Sequence, residues 1–127
     1  QVDSKENNMV KAFCCIASSA RDFARLGKLY KQNGEWNGVQ LLDSTFIAKS
    51  ITPKFSNAPF YAYGWWLANY KNKEIFYNRG HLGQLSIVIP EDDLIIVRLG
   101  NLISKENGEA HSKDFYTYID EAYKIIQ

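Results

Sequence analysis

The sequence predicts an α+β domain in which an antiparallel meander of about four strands is packed by N-terminal helices and a C-terminal helix. Three observations predict it. Between Ser19 and Tyr30, the apolar residues Phe23, Leu26 and Tyr30 recur at helical spacing behind a capping signal. From Tyr61 the apolar period shortens from about 3.6 to about 2, with polar clusters interrupting it at hairpin intervals. Near the end the helical period returns, and Phe115, Tyr118, Ile119, Ala122 and Ile126 mark one face of a terminal helix. No internal linker, repeat or low-complexity tract divides the chain, so residues 1–127 read as a single domain.

Taken in order, residues 1 to 11 are a polar lead-in, expected to be extended or frayed. Lys11 to Ile16 is a short apolar run without a period. Ser19 then caps the first helix, and Asp22 three residues later completes the capping box. Ala20, Ala24 and Gly27 are small enough to let another element pack closely, and Asn33-Gly34 closes the helix. Glu35-Trp36-Asn37-Gly38 reads as a turn with an aromatic anchor, followed by Val39-Gln40-Leu41-Leu42. Asp43 or Ser44 caps a short helix to Ser50, which Pro53 stops, and Lys54 to Pro59 is a loop.

Four strands follow: Tyr61 to Tyr70, Glu74 to Arg79, Gln84 to Ile89 and Leu94 to Leu99. Lys71-Asn72-Lys73 joins the first pair as a hairpin and Pro90-Glu91-Asp92-Asp93 joins the last. Leu85, Ile87 and Ile89 alternate with Gln84, Ser86 and Val88, whereas Leu94 to Val97 is apolar throughout. Both faces of that sheet should therefore be covered, and helices must cover them. Asn101 to His111 is a polar loop, and the last helix carries Asp114 at its start and Lys124 near its end, as the helix dipole favours.

Composition excludes several function classes. Apolar content of 46% and charged content of 23% suit a globular domain with a real core. A formal net charge of +1 without any basic run gives no field for nucleic acid, which is not an expected partner. No apolar stretch approaches the roughly 20 residues that span a bilayer, and no signal segment opens the chain. It begins Gln1-Val2-Asp3 without an initiator methionine, which points to a processed product or a piece of a longer polypeptide. Cys14 and Cys15 are adjacent, a geometry that disulfides rarely accept, and they read as two small buried side chains. His81 and His111 stand in unrelated contexts, so neither a metal site nor a cofactor is expected.

One stretch is unusual for a sheet protein. Gly80-His81-Leu82-Gly83-Gln84 sets a histidine between two glycines where two apolar strands meet. Backbone amides unshielded by side chains suit a carbonyl oxygen that gains negative charge during acyl transfer, and an imidazole there can pass a proton at neutral pH. The same residues also suit a structural histidine in a tight connection. Both readings stand on the motif alone.

Three blocks carry a resemblance. They are Phe13 to Tyr30 with Gly34-Glu35-Trp36-Asn37-Gly38 after it, Tyr63-Gly64-Trp65-Trp66-Leu67, and Gly80 to Gln84 running into Ile89-Pro90-Glu91 and Leu94 to Gly100. In this order the chain resembles the C-terminal part of the serine β-lactamase and penicillin-binding-protein-like hydrolases, in the class C and esterase branch. The resemblance implies a partial β-lactamase/transpeptidase-like fold and a C-terminal segment of a larger hydrolase domain. It implies an acyl-enzyme mechanism on a small amide, ester or peptide, and a periplasmic or exported setting. His81-Leu82-Gly83 matches the family's His-x-Gly motif, which makes His81, Gly83 and the backbone N–H of Gln84 the implied site residues. Gln84 would supply one oxyanion donor.

The departures are as informative. The family's nucleophile lies in Ser-x-x-Lys, and no lysine here has a serine three residues before it. Tyr70-Lys71-Asn72 fits the family's Tyr-x-Asn as letters but falls in a predicted hairpin turn. Ser86 and the other hydroxyls have no base at fixed spacing. The chain alone is therefore expected to be inactive. The alternative is a non-catalytic binding module, in which Trp36, Tyr61, Tyr63, Trp65 and Trp66 form an aromatic platform for sugar or peptide. Against that, Trp65 and Trp66 should point to opposite sheet faces. An exposed sheet edge would also permit self-association.

Overall fold

The computed structural model describes residues 6, 8, 9, 16–102 and 110–126. Cys14 and Cys15, the first residues of the Phe13 block and most of the polar loop before His111 lie outside the described residues. The first helix, α1 (Ala20–Lys31), starts where its capping box requires. Ser19 Oγ accepts the Asp22 N–H at 3.3 Å, and the Asp22 carboxylate reaches back to the Ser19 N–H at 3.4 Å. The hydroxyls of Ser18 and Ser19, with Arg25, hold the Asp22 carboxyl well below the usual carboxylate range. Asn33 and Gly34 take positive φ just past the helix, as a C-terminal stop requires.

The Trp36 turn is more than a turn. It is a two-stranded hairpin, β1 (Glu35–Trp36) on β2 (Val39–Gln40), closed by Asn37 and Gly38 at φ +51° and +79°. The short helix α2 (Ser44–Ser50) is capped by Asp43, whose side chain accepts the Phe46 N–H at 2.8 Å.

Four antiparallel strands then pair in chain order: β3 (Trp66–Tyr70), β4 (Lys73–Arg79), β5 (Leu85–Ile89) and β6 (Leu94–Arg98). This is the predicted meander. Lys71 and Asn72 close the β3–β4 hairpin with both φ values positive, the geometry a two-residue hairpin favours. A 3-10 turn, Pro90–Asp92, and a left-handed Asp93 link β5 to β6. Three strand boundaries shift by one residue from expectation, and one shifts further: the strand predicted from Tyr61 starts at Trp66. Gly64 at φ +82° and a hydrogen bond from Ala62 N–H to the Trp65 carbonyl at 2.9 Å fold residues 62–65 into a turn. Only Tyr61 pairs, as an isolated bridge to Trp66.

The helices cover both sheet faces, as the apolar β6 demanded. On one face Phe115 and Ile119 of α3 (Lys113–Ile126) pack against Ile75, Tyr77, Leu85, Ile87 and Ile89. On the other, Trp65, Phe76 and Val88 pack with Tyr30 of α1 and with Ile95. Gly27 permits that contact, since a Cβ there would lie 2.8 Å from Val88 Cγ2. Overpacking of this kind costs about 1–3 kcal/mol. At the far end of α3, Ile125 and Ile126 are exposed, so Ile126 does not belong to the buried stripe assigned to it.

Candidate active site

β4 delivers the chain into Gly80, and the following residues fold into a closed turn. Gly83 N–H donates to the Gly80 carbonyl at 3.1 Å, and Gly80 N–H donates to the Gln84 carbonyl at 2.8 Å. Gly83 sits at φ +83°, a left-handed conformation that L side chains enter at a cost of roughly 1–2 kcal/mol. Gly80 is needed for space. A Cβ there would lie 3.0 Å from Gln84 Cβ and hard against its amide oxygen.

Two side chains hold the turn in place. Gln84 Oε1 accepts the Leu82 N–H at 3.2 Å, and its Nε2 donates to the Gly100 carbonyl at 2.7 Å. Arg98, across the sheet on β6, donates from Nη1 to the Gly83 carbonyl at 2.6 Å and lies over the Tyr118 ring, 5.8 Å from its centroid. The turn is thereby tied to β6 and to α3.

With those bonds made, three features of the turn remain open. His81 and Leu82 form the exposed tip. The His81 imidazole makes no hydrogen bond or ion pair with the described residues. The Gln84 N–H is taken up by no carbonyl among the described residues, whereas those of Gly80, Leu82 and Gly83 are all used. An open imidazole and an open N–H within one rigid turn can jointly meet a carbonyl group, one by donation to its oxygen and the other by proton transfer. The turn thus brings His81, Gly83 and Gln84 together, and Gly83 enters through its conformation.

The surroundings are cationic. Arg79, the last residue of β4, pairs in register with Leu85, which pairs in turn with Arg98. Arg79 is half-buried and lies over the Trp66 ring, 5.4 Å from its centroid. Neither arginine pairs with a carboxylate among the described residues. The Gln84 side chain, Arg98 and Arg79 were not singled out by sequence reasoning. The available signal was a lone arginine closing each of two apolar strands, but its meaning depends on strand register.

The remaining candidates lie elsewhere. Ser86 is buried and donates to the Phe23 carbonyl at 3.3 Å, a packing role on the α1 face. Tyr70 and Lys71 both engage Asp120 of α3, at 3.2 and 2.9 Å. They sit at the opposite end of β4 from Gly80, roughly 20 Å away for a strand of this length. The aromatic residues weighed as a platform do not share one surface. Trp65 is buried against Tyr30 and Phe76, Trp66 lies on the other face, and Trp36 sits beneath the Lys28 ammonium. Tyr77 is wholly buried with its hydroxyl 2.8 Å from His111 Nδ1, and burial pushes its phenol above the ordinary range. A groove lined by Ile51, Pro53, Phe60, Leu67 and His111 runs along β3 and does not include the glycine turn. Among the described residues no group of three or more His, Cys, Asp or Glu is placed to hold a metal ion, and no helix is long and apolar enough to cross a membrane.

No family model and no curated protein sequence matches the chain. Among solved structures it is similar to "Putative 6-aminohexanoate-dimer hydrolase from Bacillus anthracis", with a TM-score of 0.68 and 23% sequence identity. The match covers 95% of this chain and 31% of that one, so the chain spans about a third of the length of the structure it matches. The likeness is one of fold: helices and a four-stranded antiparallel sheet arranged as in a segment of that protein.

Proposed function

We propose that the chain forms one wall of the active-site cleft of a serine hydrolase of the β-lactamase-like kind, acting on an amide or ester through an acyl-enzyme. The observation that carries this reading is the closed glycine turn that leaves His81 exposed and the Gln84 N–H without an acceptor. Its fold likeness to a segment of a protein described as a hydrolase supports it. In this reading a serine outside these 127 residues gives its proton to the lysine of its Ser-x-x-Lys and attacks the substrate carbonyl carbon. The π electrons move onto the oxygen, and the Gln84 N–H donates to the resulting oxyanion beside a second donor from the nucleophile's own backbone. Collapse of the intermediate expels the amine or alcohol, His81 hydrogen-bonds or protonates the departing group, and water then releases the acid.

The experiment is covalent labelling by a fluorophosphonate or penicillin probe, read by intact-mass spectrometry. The chain alone is expected to take up no label. The longer polypeptide encoded with it is expected to take up one equivalent, at a serine of a Ser-x-x-Lys, with H81A slowing uptake by about 10²-fold or more, the usual range for a general acid or base. A labelled serine within this chain, or none in either protein, contradicts the proposal.

A further inference from the structure

We infer that Asn37, at the tip of the β1–β2 hairpin, is a site of spontaneous covalent modification, where water converts the Asn37–Gly38 link to aspartate and isoaspartate. The chemistry asks three things of an asparagine. Its side-chain amide must be open, the next backbone N–H must be free to lose its proton, and the next residue must not crowd ring closure. The sequence holds three Asn-Gly pairs, Asn33-Gly34, Asn37-Gly38 and Asn107-Gly108, the last outside the described residues. The fold separates the other two.

At Asn33-Gly34 the backbone is held throughout. Asn33 N–H donates to the Tyr30 carbonyl at 3.1 Å, and the Asn33 carbonyl accepts Gln40 Nε2 at 2.8 Å. Gly34 N–H donates to the Leu29 carbonyl at 2.8 Å, while the Gly34 carbonyl accepts the N–H groups of Leu41 and Leu42. Gly34 is also buried, with the Leu42 carbonyl oxygen hard against the place a Cβ would take. Asn37-Gly38 is the reverse. Both residues are exposed, and no hydrogen bond among the described residues engages the Asn37 amide or the Gly38 N–H. Nothing lies within 4 Å of where a Gly38 Cβ would stand. The loop is closed only by the Glu35–Gln40 and Trp36–Val39 pairings, and a ladder so short opens easily.

The step balances without any other reactant than water. The Gly38 N–H gives its proton to solvent, and the nitrogen attacks Asn37 Cγ. The N–Cγ bond forms, the Cγ–Nδ2 bond breaks, and Nδ2 leaves as ammonia after taking up a proton. Water then opens the succinimide. Breaking the new N–Cγ bond gives aspartate, and breaking the original peptide C–N bond gives isoaspartate. Either product adds one negative charge, taking the formal net charge from +1 to zero. Isoaspartate also adds a backbone carbon, which a two-residue loop that sets the Trp36–Val39 register cannot absorb. Trp36 then leaves the Lys28 ammonium, now 5.4 Å from its ring centroid.

The test is incubation of the chain at mildly alkaline pH, with peptide mapping by mass spectrometry and the Trp36 indole resonance followed in parallel. Conversion is expected at Asn37, with both isoaspartate and aspartate formed and a new Trp36 resonance growing in step. Asn33 should convert about 10-fold or more slowly, because its reacting N–H must first leave a hydrogen bond within a packed turn. In urea the gap between Asn33 and Asn37 should close. N37Q, which keeps a side-chain amide but not the five-membered ring closure, should show neither the modification nor the new resonance. Equal conversion at Asn33 and Asn37 in the folded chain, a gap that persists in urea, aspartate without isoaspartate, or the same Trp36 change in aged N37Q overturns the assignment.

Discussion

The two ends of β4 are built on opposite terms. At the hairpin end the charges of Lys71 and Lys73 have partners on other elements. Lys73 meets Glu91 and Asp92, each at 3.1 Å, Tyr123 donates to Asp92, and Lys71 and Tyr70 share Asp120. These contacts fasten α3 to the β3–β4 hairpin and to the 3-10 turn. At the other end, one strand length away, the backbone is tightly bonded while chemical groups are left over: an imidazole, an N–H and a guanidinium with no counter-ion among the described residues. A polar end that only supports a fold can satisfy itself within the chain. An end proposed to meet a ligand must keep donors in reserve, and here they stand on a backbone held by glycine, Gln84 and Arg98.

The contrast can be broken most forcefully at Gly83. Replacing it with valine puts a β-branched side chain at φ +83° and is expected to cost about 1–2 kcal/mol in urea unfolding. The hairpin-end resonances should not move. Unchanged stability would mean that the turn is not closed as described. Next comes Q84A, which removes the bonds to Leu82 N–H and the Gly100 carbonyl. It is expected to cost about 1 kcal/mol and to speed hydrogen exchange at Leu82 while leaving Lys71 unaffected.

At the hairpin end D120N should have a smaller effect than Q84A, because both partners are substantially exposed, and one that fades in high salt. A salt-independent loss as large as that of Q84A would erase the distinction between the two ends.

The weakest lever is pH, and it too should act on one end. The Tyr123 hydroxyl and Lys73 hold the Asp92 carboxyl below the usual range, and Lys71 does the same for Asp120. Depressed carboxyls stabilise the fold above their unfolded pKa of about 4 and lose that contribution as pH falls through the folded values. Burial, then the bond to Asp92, pushes the Tyr123 phenol up to about 12. Its contribution is present below the unfolded pKa of about 10 and is lost as pH rises toward 12. Protection of the α3 amides from hydrogen exchange, relative to the unfolded chain at the same pH, should therefore fall below pH 4 and above pH 10, with that of the Gly80–Gln84 turn unchanged.

Most of the fold was legible because its signals are local. Ser19 and Asp22 announce α1, Asp43 announces α2, and the strict alternation of Leu85, Ile87 and Ile89 announces β5 with its α3-facing side. The β1–β2 hairpin was hidden because strands of two residues have no period to read. The late start of β3 was hidden because an aromatic run looks the same whether or not Gly64 bends it. The glycine turn was visible as a motif, but its supports were not. That Arg98 reaches the Gly83 carbonyl and that Arg79 lies over Trp66 follow from cross-strand register, which brings together residues far apart in sequence.

The claim on which the rest depends is that the turn is rigid while its Gln84 N–H stays open. Residue-resolved hydrogen exchange on the chain tests it directly. Slow exchange is expected at Gly80 and Gly83, whose N–H groups are bonded within the turn, and fast exchange at Gln84. A Gln84 N–H as protected as those of Gly80 and Gly83 would show that it is already engaged, and no oxyanion could then be offered it.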